Sequence, residues 1–537
     1  MKPGVERLEV TTEELEALLE GVRGPLGEAG YQKLKAAVNT LGYLTELVAD
    51  KDTTIRHLRQ LLLPASTEKT REVLRKVGVE PGSETEKPEG GDEPKKGGPR
   101  PGHGRNGAAA FRGAQRVEIV HPKLKPGDRC PGCGRGNVYR QKEPKLLVRM
   151  VGQAPLEATI YALERLRCNA CGEVYTAEEP EGVGPEKYDE TAAAMIAQLK
   201  YGSGTPFNRL EQLEGQLGIP LPAATQWEIV EEAAELIKPA RDELIRQAAQ
   251  GEVLHNDDTS MRVLRLQREP WDERTGVFTS GLVSIGQGWK VALFFTGRQH
   301  AGENLADVLR RRAAELNRPI QMCDALARNV PKLAGGVEIL VANCLAHGRR
   351  QFVEVAQNFP SECRYVLEAL GEVYGHEAAA RQLGLTPEER LRFRQERSGP
   401  VMDQLHRWLE AQFAERKTEP NSGLGKAITY LLRHWHGLTA FLRESNAPVD
   451  NNLCERALKR AVLHRKNALF YRTLNGAQVG DLYMTLIHTC QLCGANSFDY
   501  LTELQRHTGE LAANPADWMP WNYRERLQRP EASSDSG

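Results

Sequence analysis

One segment, residues 251–343, limits the possible folds more than any other part of the chain. Short β-rich runs alternate there with helical patterns, in the order strand, strand, strand, helix, strand, helix, strand. Gly286-Gln287-Gly288 joins the second and third strands as a hairpin. This order predicts a mixed α/β sheet. The predicted strands are 253–255, 277–285, 289–295, 319–323 and 337–342, and the first helix is 302–316.

Three acidic residues are placed where such a fold could bring them together. Asp257 closes the first strand, Asp324 closes the strand at 319–323, and Glu455 lies at the opening of a later helix. Carboxylates at strand ends can converge on one edge of a sheet, and their hard oxygens favour magnesium or manganese. Two such ions support in-line phosphoryl transfer. Each acid alone could be a surface charge, so the prediction depends on the three positions together.

A strongly basic stretch follows Glu455 directly. Three of its side chains share one helical face at spacings of three and four residues. They could neutralise DNA phosphates beside the metal site, although a solvated helix face would have the same composition. The candidates for contact with DNA in this stretch are Arg456, Lys459, Arg460, Arg465 and Lys466.

Another candidate contact with DNA lies where the strand at 337–342 leads into a helix. His347 could contact a scissile phosphate, and Arg349 and Arg350 could hold the DNA backbone. A lone histidine is more often a core residue than a DNA contact. The two adjacent arginines nevertheless favour the contact with DNA. Upstream, the glycine-rich basic end of a linker carries Arg105, which could lie along DNA or belong to a solvated tether.

Two Cys-x-x-Cys pairs, Cys130 with Cys133 and Cys168 with Cys171, are separated by 34 residues. This spacing predicts one tetrahedral, structural Zn²⁺ ion with four thiolate ligands and no open coordination position. Disulfides or free thiols are the alternatives, and a reducing cytoplasm disfavours disulfides.

Chain length and the pattern of apolar residues limit the number of domains and the cellular location that the chain can have. The 537 residues are too many for one ordinary domain, and no apolar run approaches the roughly 20 residues of a membrane span. We therefore expect a bacterial cytoplasmic, nucleoid-associated protein with no membrane partner.

Leucines at helical spacing in residues 1–78 predict either coiled-coil self-association or a packed helical hairpin. Short helices within 181–250 fit a helix-turn-helix DNA reader or simple helix packing.

Several stretches of the chain resemble the transposases of the insertion sequence 66 family, and the resemblance runs along nearly the full length. It implies a DDE recombinase with an RNase-H-like catalytic core that a helical insertion interrupts. It also implies that Asp257, Asp324 and Glu455 hold two Mg²⁺ or Mn²⁺ ions, and that a coiled coil and a zinc module precede the core. The stretches are 102–114 (GHGRNGAAAFRGA), 130–140 (CPGCGRGNVYR), 166–189, 200–227, 346–352 (AHGRRQF) and 449–470 (VDNNLCERALKRAVLHRKNALF).

The chain departs from the family pattern at three places. Asn256-Asp257-Asp258-Thr259 stands where the family usually has Ala-Asp-Glu-Thr. Asp257 aligns with the family's aspartate, and the sequence leaves Asp258 as an alternative to it. Asp324-Ala325-Leu326 replaces the usual Asp-Gly-Tyr. Cys344-Leu345-Ala346-His347 has leucine in place of the usual tryptophan.

These observations predict a transposase that binds the terminal inverted repeats of its own element and the target DNA, acting as a homo-oligomer. It would hydrolyse a phosphodiester at each end and direct the exposed 3′-hydroxyl at target DNA, with accessory proteins in some relatives. A DNA-binding protein without chemistry, and a nuclease that never joins, are the rival interpretations. The predicted divisions are 1–78 coiled coil, 79–112 linker, 113–180 zinc module, 181–250 helical, 251–350 core, 351–447 insertion, 448–510 core completion and 511–537 tail.

Overall fold

The computed structural model describes residues 186–266, 274–333 and 338–528, together with shorter stretches before residue 186. These shorter stretches are 122–133, 135–140, 154–167, 174–178 and 180–181, with isolated positions between 21 and 73. The chain forms two compact units, one of Met1–Pro81 with Arg349–Glu372, the other of Gly82–Gly348 with Val373–Gly537. The seam predicted for the coiled coil and the basic end of the linker lie outside the described residues.

The larger unit contains a five-stranded mixed sheet. Its strands are β3 Val253–Ser260, β4 Phe278–Gly286, β5 Trp289–Gly297, β6 Ile320–Cys323 and β7 Leu340–Asn343. Two earlier short strands, β1 Arg165–Arg167 and β2 Val174–Thr176, pair only with each other. The order is β5-β4-β3-β6-β7, antiparallel from β5 to β3 and parallel from β3 to β7. Strand β4 is buried at six consecutive positions, as expected for a strand covered on both faces. The predicted mixed α/β class is confirmed.

Helices precede, separate and follow these strands. Polar side chains cap the N-termini of several helices. Asp189 accepts a hydrogen bond from the Ala192 amide, and Thr473 accepts one from the Gly476 amide. Within the described part of the chain, no helix is both long enough and apolar enough to cross a bilayer. The helices are α1 Glu190–Ala197, continued by a π-helix at Gln198–Gly202, then α2 Phe207–Gln216, α3 Ala223–Ala249, α4 Ala301–Leu309, α5 Leu345–Val355, α6 Pro360–Gln382, α7 Pro387–Ala414, α8 Gly423–Leu438, α9 Asn452–Ala468, α10 Leu474–Cys493, α11 Ser497–Arg506, α12 Thr508–Ala513 and α13 Tyr523–Gln528.

Two sequence predictions need correction in detail. The first helix after the hairpin ends at Leu309 and not at residue 316, and beyond it Arg312 donates to the carbonyls of Ala249 and Gly251 at 2.8 Å each. The first strand continues to Ser260, because antiparallel pairing with β4 extends past Asp257 to the end of the strand.

A buried acid joins α10 to the edge of the sheet. Asp481 is almost completely buried and accepts hydrogen bonds from the backbone amide and the hydroxyl of Thr296, at 2.6 and 2.7 Å. Burial nevertheless raises the pKa of Asp481 to about 7, against the opposing effects of Thr296 and of the Arg241 charge. The folded protein therefore binds this proton more tightly than the unfolded chain does.

We expect Asp481→Asn to remove a pH dependence of stability. In the wild type this carboxyl stabilises the fold fully below pH 4, and the contribution is lost as the pH rises towards about 7. An asparagine stays neutral at every pH. At pH 8 the free energy of unfolding of the variant should therefore be at least that of the wild type, and up to about 2 kcal/mol higher. Urea unfolding at pH 5 and pH 8 measures this; a variant that is clearly less stable at pH 8 would contradict the assignment.

Candidate functional site

The first two acids of the predicted triad are neighbours across the parallel pair of strands β3 and β6. Their register joins Val253 to Ile320 and His255 to Met322, so two further steps on each strand reach Asp257 and Asp324. Asp257 therefore lies inside β3 but just beyond the parallel pairing, where the two strands diverge. Asp324 follows the last residue of β6 and is only 8% exposed.

A buried asparagine brings the third acid to the same place. Asn451 precedes α9, and its side chain donates to the carbonyl of Asn256 at 3.1 Å and accepts from His255 Nδ1 at 3.0 Å. Its backbone amide donates to Cys344 Sγ at 3.2 Å. The start of α9 is thereby held against β3, one residue before Asp257, and Glu455 occupies the first turn of this helix.

A glycine lets α9 approach the sheet closely. Gly281 is paired with Asp257 across β3 and β4, and a Cβ atom there would lie 2.9 Å from the Leu458 side chain. Cys454 Sγ also donates to the Gly281 carbonyl at 3.3 Å. The absence of a side chain at Gly281 therefore sets how near Glu455 lies to Asp257.

The charges of the three acids act on one another. Burial raises the pKa of Asp257 to about 7, and the negative charges of Asp324, Asp258 and Glu455 add to this increase. Glu455 Oε1 is buried without a hydrogen-bond partner. A bound divalent cation would offset this repulsion and occupy the unpartnered oxygen, so the donor set fits a hard metal ion.

The neighbouring acid Asp258 faces the other side of the strand, as the alternation of strand side chains requires. Its carboxylate lies 2.8 Å from His300 Nδ1 and 3.5 Å from an Arg328 nitrogen. Its side chain is 2% exposed and is held by these two groups, of which Arg328 carries a positive charge. Of the two adjacent acids, only Asp257 lies with Asp324 and Glu455.

Asn329, which no sequence motif singles out, contacts both aspartates. This residue closes a 3₁₀ turn, Ala327–Asn329, shortly after β6. Its Nδ2 donates to Asp324 Oδ1 and, at 3.3 Å, to Asp257 Oδ1. Nothing in the local sequence distinguishes this asparagine from an ordinary turn residue.

Two further side chains lie beside Glu455. His347 Nε2 is 3.9 Å from Glu455 Oε1, and the ligand atoms of Cys344, His347 and Glu455 all lie within 4.8 Å of one another. These three could hold a softer metal ion. However, burial raises the pKa of Cys344 to about 11, and a neutral thiol is a poor ligand. The carboxylates are therefore the stronger donors for a hard cation.

The basic side chains of α9 divide into two groups. Arg456, Lys459 and Lys466 are exposed. Arg460 donates to the Gly202 carbonyl at 2.8 Å, with further bonds to side chains of α10, and Arg465 donates to the Thr259 hydroxyl at 3.0 Å. The first group is free to meet a phosphate backbone, whereas the second uses its donors inside the protein.

The remaining candidates for contact with DNA lie elsewhere in the chain. Arg349 and Arg350 belong to the smaller compact unit, in which Arg349 is buried and donates to the Thr70 hydroxyl at 3.2 Å. Arg105 lies outside the described residues.

One half of the four-cysteine motif is described. Cys130 and Cys133 are free thiols on a short turn, where the Cys130 amide donates to the Gly136 carbonyl at 2.7 Å. Backbone hydrogen bonds from Gly136 and Arg135 lower the pKa of Cys133, as does the Cys130 side chain. Such donors favour a thiolate, the form that binds zinc. Cys168 and Cys171 lie outside the described residues.

A family model and several relatives are similar to this chain. Residues 187–479 match the model of the transposase IS66 family, and this range includes all three acids. The chain is 29% identical over 429 residues to the uncharacterized protein y4jD of Sinorhizobium fredii (strain NBRC 101917 / NGR234), covering 76% of this chain and 80% of the relative. It is 25% identical over 433 residues to the uncharacterized protein y4hP of the same strain, covering 76% of each chain. Because the family model spans more than half of its length, the chain belongs to the IS66 family of transposases.

Proposed function

We propose that the chain is a DDE-type transposase whose metal-binding triad is Asp257, Asp324 and Glu455. The observation that carries this proposal is that one Asn329 amide donates to both Asp257 and Asp324, while the charge of Glu455 also acts on Asp257. The strand order, three antiparallel strands followed by two parallel ones, supports an RNase-H-like core. Helices α6 to α8, which separate β7 from α9, would then be the insertion into that core.

The three acids share one task in the proposed mechanism. Asp257, Asp324 and Glu455 would hold the divalent cations through their carboxylate oxygens. When bound, Mg²⁺ or Mn²⁺ ions would activate the entering oxygen and stabilise the leaving one. His347, beside Glu455, would donate a hydrogen bond to the scissile phosphate, and the exposed Arg456 and Lys459 would neutralise flanking phosphates.

Other parts of the chain would bind and position DNA. We assign one structural Zn²⁺ ion to Cys130, Cys133, Cys168 and Cys171, supported by the hydrogen bonds that favour the Cys133 thiolate. The partners would be the terminal inverted repeats, target DNA and further copies of the chain. Exposed Lys466 and the basic arm with Arg105 would contact phosphates. Arg350 remains a candidate in the smaller unit, whereas Arg349 is buried there and would stabilise the fold.

A cleavage assay with Asp324→Asn tests the proposal. The substrate is labelled DNA carrying the inverted repeat of the protein's own element, with magnesium, and gel shift measures DNA binding in parallel. We expect the wild type to cut at the end of the repeat and the variant to bind DNA equally but cut at least about a thousandfold more slowly. Equal cleavage by both proteins would contradict the triad. Binding without cleavage by the wild type would favour a DNA-binding protein that has lost its chemistry.

A further inference from the structure

The amide of Asn329 occupies the space between the two catalytic aspartates. Its Nδ2 lies 2.5 Å from Asp324 Oδ1 and 3.3 Å from Asp257 Oδ1. The residue is 0% exposed, so the amide meets these carboxylates without competing solvent. A neutral group thus lies between two acids that repel each other.

The backbone of Asn329 is fixed while its side chain is not. Its carbonyl accepts from Asn256 Nδ2 and from Gln321 Nε2, at 2.7 Å each, and its amide donates to the Leu326 carbonyl at 2.9 Å. Gln321 Nε2 also donates to Asn256 Oδ1 at 2.8 Å, which ties β6 to β3 beneath the site. The position of the Asn329 Cβ is therefore set by the sheet, and the amide can still rotate about χ2.

The other amide atom of Asn329 has no partner. Its Oδ1 is buried and accepts no hydrogen bond, although a buried carbonyl oxygen ordinarily finds a donor. A rotation of 180° about χ2 exchanges the two amide atoms and brings Oδ1 to the position that Nδ2 holds beside both carboxylates.

We propose that Asn329 is a further ligand of the metal site, donating Oδ1 to the cation that Asp257 and Asp324 hold. This inference rests on the proposed function. Mg²⁺ binds oxygen ligands in an octahedron at roughly 2.1 Å, so adjacent ligands are about 3 Å apart. The distances of 2.5 and 3.3 Å from Nδ2 to the two carboxylate oxygens bracket that spacing. An amide oxygen also adds a ligand without adding a third negative charge between the aspartates.

A purely hydrogen-bonding role for Asn329 makes the opposite prediction. If Nδ2 only bridges the carboxylates, it competes with the cation, and its removal should strengthen metal binding. If Oδ1 is a ligand, its removal should weaken metal binding. The two roles therefore differ in the sign of the change in affinity.

Calorimetric titration of Mn²⁺ into the full chain, without DNA, tests the proposal. We expect Asn329→Leu to weaken binding by about tenfold or more, and Asn304→Leu, a buried amide that bonds to Ser280 and not to the aspartates, to leave it unchanged. Thermal unfolding without metal checks that each variant is folded, and Asn329→Ala replaces the leucine variant if that one is not.

Each outcome of the titration has one meaning. Unchanged or tighter binding by both Asn329 variants, with binding abolished by Asp324→Asn, would overturn the ligand role and leave the triad standing. Absence of any Mn²⁺ binding by the wild type would overturn the triad as well.

Discussion

Replacing Asp257 by asparagine is expected to slow metal-dependent DNA cleavage by at least about a thousandfold, whereas Asp258→Asn should stay within about fivefold of the wild type. The two residues are adjacent in β3 but face opposite sides of the strand. Asp257 lies with Asp324 and Glu455, whose charges help to raise its pKa. Asp258 is instead paired with His300 and Arg328. Asparagine keeps the size of either side chain but removes the charge and replaces one carboxylate oxygen by an NH2 group.

The comparison is made on one DNA substrate with the two variants as matched controls for each other. DNA binding should be retained by both, and without magnesium the Asp257 variant should be at least as stable as the wild type, because one of three mutually repelling carboxylates is gone. Magnesium should raise the melting temperature of the wild type and of the Asp258 variant only. Loss of cleavage in the Asp258 variant with normal activity in the Asp257 variant would exchange their roles.

This pair also shows how far the sequence could define the site. The apolar runs and the hairpin glycines predicted a mixed sheet, and the acids were predicted to converge because each follows a strand or begins a helix. The sequence aligned Asp257 with the family's aspartate but could not dismiss Asp258, since that depends on which face of β3 lies against α9. Residues far along the chain, such as Asp324 and His300, make the difference.

Contacts between distant residues explain the other differences. Helical spacing correctly placed Arg460 on α9, but its donors bind Gly202, 258 residues earlier in the sequence, and so do not face solvent. The structural roles of Asn329 and Asn451 could not be predicted from the sequence, because asparagine is common in turns and at the starts of helices. Their roles come from buried partners, which for Asn451 lie 195 and 196 residues away.

Asn451→Leu is expected to lower the free energy of unfolding by about 3 to 5 kcal/mol. Asn451 is 0% exposed and bonds to both the His255 ring and the Asn256 carbonyl. Burial lowers the pKa of His255 to about 4, so the ring is neutral and must carry its proton on Nδ1 to donate to Asn451 Oδ1. Leucine has the same number of side-chain heavy atoms and the same branching, but it leaves this donor and the Asn256 carbonyl buried without partners, which is the main cost.

Urea unfolding at pH 7 measures this effect, with two further variants that separate its causes. Asn451→Asp retains an acceptor for His255 but places a carboxylate oxygen against the Asn256 carbonyl, so it should also be less stable than the wild type. Asn452→Ala, one residue further on and only half-buried, should cost less than about 1 kcal/mol. Because the same two bonds hold the start of α9 against β3, Asn451→Asp should also weaken Mn²⁺ binding while the protein is still folded. A leucine variant as stable as the wild type would show that the hydrogen bonds of Asn451 to His255 and Asn256 do not stabilise the fold.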